Sequence, residues 1–106
     1  MTSEDFNQIL NETIEKATSI LGSKAQEYAK GDRLHNFKVA AKLSNSTPEM
    51  ALRGMVAKHI ISLWDLIQDA EDGKYPTMQL WDEKIIDIIN YMFLLRALVV
   101  DQMLKD

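Results

Sequence analysis

The sequence predicts an all-α fold, and three observations carry that expectation. Apolar residues recur every three or four positions along most of the chain, and no apolar–polar alternation runs long enough to make a strand. Helix-start signals stand just before the two most apolar stretches, at Thr47-Pro48-Glu49 and at Thr77. Between the periodic stretches lie short breaks rich in turn residues: Gly31-Asp32, Ser44-Asn45-Ser46 and Gly73-Lys74-Tyr75-Pro76. A chain of 106 residues has room for one hydrophobic core, so residues 1–106 are expected to form a single helical domain, a small bundle with two long helices.

Each element has its own justification. The first helix is expected to begin after Thr2 or Ser3, with Glu4 and Asp5 in its first turn to suit the helix dipole. Phe6, Leu10, Ile14, Ala17 and Leu21 form its apolar stripe, and Gly22-Ser23 is a point where it either ends or bends. A short helix follows over about Leu34 to Leu43, with Asp32 as its expected cap. The third runs from Thr47-Pro48 to Asp72, where Gly73 supplies a stop, with Leu52, Met55, Val56, Ile60, Leu63, Leu66 and Ile67 on its apolar face. The fourth is capped by Thr77 and reaches about Leu104. It is apolar on most sides from Ile85 to Val100, more than a four-helix monomer of this size readily covers. Ile61 and Trp64 also lie off the main face of the third helix, so a homodimer or homotetramer is expected.

Composition narrows the function classes. A formal net charge of −4 disfavours a sequence-independent nucleic-acid binder, which needs a basic face. The absence of cysteine excludes disulfides, thiolate metal sites and cysteine nucleophiles. The acidic N-terminus lacks the order of a secretory signal, and the stretch Ile85 to Val100, interrupted by Asp87, Asn90 and Arg96, is too short and polar to span a bilayer. The expectation is a cytoplasmic protein with no membrane partner and no nucleic-acid polymer.

Two polar stripes carry the chemistry. Lys58, Ser62, Asp65 and Asp69 fall at i, i+4, i+7 and i+11, and Glu83, Asp87 and Asn90 at i, i+4 and i+7, so each set lines one helical face. Carboxylates on helices due for burial need a counter-charge or a metal. Glu83 and Asp87, with Asp65 from the facing helix, form an oxygen-only set suited to Mg²⁺ or Mn²⁺, and Asn90 offers a further carbonyl oxygen. The structural alternative pairs Glu83 with Lys84 or Lys58, Asp87 with Arg33 or Arg53, and Asn90 across a dimer. Lys58 suits a phosphate contact, whereas His59 falls on the apolar side of its helix, where a core role is the commoner one.

The segment Glu27 to Lys38 is the densest cluster of functional groups. Arg33 and Lys38 suit phosphates, Asn36 a base edge, and Tyr28 or Phe37 a stacked ring. The plainer alternative is a capped turn with Phe37 in the core. No nucleophile turn surrounds Ser62, and no glycine-rich phosphate loop is present.

Taken together, these blocks resemble the all-α NTP pyrophosphohydrolase (MazG-like) superfamily, in particular short phage-type members grouped as nucleotide-modification-associated domains. The resemblance runs from about Lys24 to Leu95: Lys24-x-x-Glu27-Tyr28, Asp32-Arg33-Leu34-His35-Asn36-Phe37, Lys58-His59-x-x-Ser62-x-x-Asp65, and Glu83-Lys84-Ile85-Ile86-Asp87-Ile88-Ile89-Asn90-Tyr91. It implies an oligomeric, Mg²⁺-dependent enzyme that splits a nucleoside or deoxynucleoside triphosphate into the monophosphate and pyrophosphate. Of the family's two acidic motifs, Asp65 and Asp87 match the second acid of each, Ser62 stands at the first position of the early one, and Glu83 lies one residue before its place in the late one. The implied catalytic and metal-holding residues are Asp65, Glu83 and Asp87; Arg33, Asn36, Lys38, Lys58 and Asn90 would hold the substrate. The competing expectations are a nucleotide-binding protein without catalysis and a helical protein-interaction module.

Overall fold

The computed structural model describes residues 1–27 and 31–105, with side chains described for residues 1–22 and 31–105. Among them lie four helices and no strand: α1 (Ser3–Glu27), α2 (His35–Leu43), α3 (Pro48–Glu71) and α4 (Met78–Lys105). No helix is long and apolar enough to cross a membrane.

The termini follow from local chemistry. The hydroxyl oxygen of Thr2 accepts from the backbone N–H of Asp5 at 3.0 Å and opens α1, which continues through Gly22 without a break. Thr47 accepts from Met50 N–H at 3.2 Å with Pro48 next in line, and Thr77 accepts from Leu80 N–H at 3.2 Å. Two helices close in the same way, each with a residue in the left-handed region. At the end of α2 it is Asn45, φ 52°, with Ser46 N–H reaching Ala41 O and Asn45 N–H reaching Lys42 O. At the end of α3 it is Gly73, φ 83°, with Lys74 N–H on Asp69 O and Gly73 N–H on Ala70 O.

Asp32 departs from its expected place. Its carboxylate accepts the N–H of Leu34 at 3.0 Å, inside the turn that precedes the helix, and α2 begins at His35 without a side-chain cap.

The core lies between α2, α3 and α4. Leu34 and Phe37 from the second helix and its entry, Leu52 and Val56 from the third, and Leu98 from the fourth are buried together. Each fully buried side chain of this kind contributes about 1.5–3 kcal/mol. Met55, Ile60, Tyr91, Leu94 and Leu95 pack around that cluster. Among the described residues, the helix that α1 packs against is α4, and α1 buries only Ala17 among its described side chains, with Leu21 half-buried. The rest of its apolar stripe, from Phe6 (57% exposed) through Leu10 to Ile14, faces outward, as do Ile61, Ile67 and Trp64 (61%) on α3. One exposed ion pair, Lys16 to Asp82 at 3.3 Å, joins α1 to the start of α4.

Candidate functional site

A cavity of about 270 Å³ opens where α2 and the end of α1 meet α3 and α4. Its floor comes from α4, which contributes Asp87, Asn90, Tyr91 and Leu94, at i, i+3, i+4 and i+7 on one face. α3 adds Met55 and His59, also one turn apart, while Arg33, Asn36 and Phe37 close it from the α2 side with Leu21 beyond them.

Each polar lining group is held differently. His59 Nδ1 lies 3.5 Å from Asp87 Oδ2, and its ring packs tilted against that of Tyr91 with centroids 5.1 Å apart. Asp87 thus has a histidine beside it, in place of the arginine partner considered from sequence. The guanidinium of Arg33, which lines the cavity, donates through Nη2 to the carbonyl of Leu21 at 3.0 Å and so ties the entry of α2 to α1. Asn90 is 7% exposed, and its Oδ1 has no hydrogen-bond partner. A buried acceptor left this way costs about 1–3 kcal/mol.

Four of the residues nominated from sequence therefore meet in one place: Arg33, Asn36, Asp87 and Asn90. The other four do not line the cavity. Lys38 is engaged elsewhere, 2.7 Å from Asp32 and 3.3 Å from Asp101, an acid that Lys105 also meets at 3.2 Å. The hydrogen bond from Lys38, seconded by Leu34 N–H, holds the Asp32 carboxyl below the usual carboxylate range. Lys105, and then Lys38, does the same for Asp101, and the bond to Asp32 raises the Lys38 ammonium. A cation so committed is a poor reserve for phosphate.

Lys58 and Asp65 are exposed on α3, and Glu83 is exposed on α4. The reason for Asp65 is angular. Leu66 takes the buried position, and the residue before it stands about 100° round the helix. Glu83 shares the face of Asp87 but lies one turn nearer the start of α4, outside the lining. Among the described residues, no three histidine, aspartate or glutamate side chains come close enough to hold one metal ion, so Asp65, Glu83 and Asp87 do not form the expected centre there. Glu27, with Lys24 and Tyr28 of the same resembling block, lies outside the described side chains. The cavity accordingly offers one carboxylate and one orphaned amide oxygen. A single carboxylate does not fit a resident carboxylate cage, though Asp87 is compatible with a hard ion carried in on a triphosphate, which needs only one or two protein oxygens.

Tyr91 and His59 complete the site in ways the sequence only half announced. Tyr91 reads as one more apolar position of α4, yet it stands one turn after Asp87 and so shares its face; that spacing was the available signal. Compared with protein-family models, with curated proteins and with solved structures, the chain matches none of them.

Proposed function

We propose that this chain binds a nucleoside triphosphate in the cavity between α2, α3 and α4 and hydrolyses it to the monophosphate and pyrophosphate, the reaction that the MazG-like resemblance implies. One observation carries the reading: Arg33, Asn36, Asp87 and Asn90, each nominated for ligand chemistry by sequence pattern, line a single cavity beside the ring of Tyr91. At about 270 Å³ the cavity is just below the roughly 300 Å³ at which small-molecule sites usually begin, a size for a nucleoside with the phosphates extending outward.

In this proposal Arg33 binds phosphate oxygens through N–H groups other than the one given to Leu21, and Asp87 orients the triphosphate with His59 at its side. Asp87 is the residue that would hold Mg²⁺ (or Mn²⁺) carried on the triphosphate, an ion that would neutralise charge on the phosphates. Support for a second reading, nucleotide binding without catalysis, comes from the exposed positions of Asp65 and Glu83. Titrating the protein with a panel of nucleoside triphosphates, with and without Mg²⁺, separates the two. Release of pyrophosphate supports the first, a thermal shift without release supports the second, and indifference to every nucleotide overturns both.

The proposed active form is a homodimer or homotetramer, acting in the cytoplasm in phage nucleotide metabolism. What supports assembly is an apolar face on α4 formed by Met92, Phe93, Val99, Val100 and Met103, all exposed, at spacings that place them together.

A further inference from the structure

Within that reading, we propose that Asn90 is the base-recognising residue: its buried Oδ1 accepts an N–H from the heterocycle, and the apolar end of the cavity is the base subsite. The inference rests on the nucleotide-binding proposal and goes further by assigning the orientation of the ligand.

Two independent observations point to it. The first is that Asn90 is more than nine-tenths buried, lines the cavity, and has an Oδ1 without a partner. An amide oxygen in that state is poorly placed for stability and well placed for a donor brought in by a ligand. Every common nucleobase carries at least one ring or exocyclic N–H, whereas ionised phosphate oxygens only accept; the ribose hydroxyls also donate, so ribose 5-triphosphate is the comparison that isolates the base.

The second is the polarity of the cavity along α4. Asp87 sits at one end with His59 3.5 Å away, and Leu94 sits two turns on, packed with Met55 against the core cluster that contains Phe37. Asn90 and Tyr91 lie between. A flat heterocycle therefore gains apolar contact toward Leu94 and a ring neighbour in Tyr91, while its phosphates run toward the charged end.

The test is calorimetric titration of wild type and Asn90→Leu with ATP, CTP, GTP, UTP, ribose 5-triphosphate and inorganic tripolyphosphate, each with Mg²⁺. For the wild type, at least one nucleotide is expected to bind about tenfold or more tighter than ribose 5-triphosphate, the effect of one buried hydrogen bond with its ring contacts. In Asn90→Leu that preference should disappear while tripolyphosphate binding is kept. The variant should also melt about 4 °C or more above wild type, because a shape-matched apolar group replaces an unsatisfied polar one.

Equal wild-type affinity for nucleotides and base-free triphosphates overturns the base subsite but leaves a triphosphate site in place. A lower melting temperature in Asn90→Leu, with the base preference intact, overturns it too and makes Asn90 a structural residue. Should the variant not fold, the wild-type comparison still decides. If wild type binds none of these compounds, the proposed function falls together with this inference.

Discussion

Asp87 stands at the charged end of the cavity with His59 Nδ1 at 3.5 Å, and its own neighbours decide what its removal should do. Among the described residues no arginine or lysine pairs with it, so Asp87→Asn should leave the unfolding temperature within a few degrees of wild type. Pyrophosphate release should nonetheless fall by about a hundredfold, the upper range for loss of a group that supports a metal–substrate contact. Unchanged turnover in a folded Asp87→Asn protein would remove Asp87 from the mechanism. At this scale the sequence was informative about which side chains are chemical and less so about where they face. Asp87 and Asn90 were legible because a polar stripe interrupting isoleucines demands an explanation. Asp65 was placed on the wrong side of burial, since periodicity gives an angle only relative to a stripe whose centre packing decides. Lys38 was nominated for phosphate on charge alone, and no local pattern announces that Asp101, far along the chain, claims it.

Among the elements, α2 shows best how charge holds a short helix in place. Lys38 bridges Asp32, in the turn before α2, to Asp101 near the end of α4. Both carboxyls titrate below their ordinary 3.8 in the folded chain, so their contribution is complete above about pH 5 and is lost as pH falls through the lowered values. The ammonium titrates above its ordinary 10.5, so its contribution is complete below that pH and is lost as pH rises through the raised value. The difference in melting temperature between wild type and Lys38→Met should therefore hold level between about pH 5 and 10 and shrink at both extremes. A difference that peaks outside that window would show the bridge is not responsible. Thr47→Ala should cost about 1 kcal/mol in denaturant unfolding by leaving Met50 N–H without its acceptor. Helix ends such as this one were legible because they are written in two or three adjacent residues. The start of α2 was less so: Asp32 has two ways to accept a nearby N–H, and the turn took it before the helix did.

For the whole molecule, two dimensions describe a chain more extended, and with more surface, than a compact one of its size. A compact monomer of 12.1 kDa exposes about 6,000 Å² by the usual size scaling, whereas this chain exposes 8012 Å². Its radius of gyration is 16.3 Å, against about 13 Å for a compact domain of this length. The proposed partner is a second copy set against the α4 face. Phe93→Lys is expected to convert an associated protein into monomers in sedimentation equilibrium; a wild type that is monomeric at high micromolar concentration would sink the proposal. The sequence signalled this excess as a fourth helix apolar on most sides, but not how little of α1 would be covered. Among the described residues α1 packs on α4 and buries Ala17, so its first turns have few contacts to hold their backbone amides against solvent exchange. Deuterium uptake along Ser3 to Ile14 should consequently run well ahead of uptake in the middle of α3, so that the first turns of the chain open and close while the core beneath α2 stays shut; equal uptake in the two segments would show that α1 is held as firmly as the core.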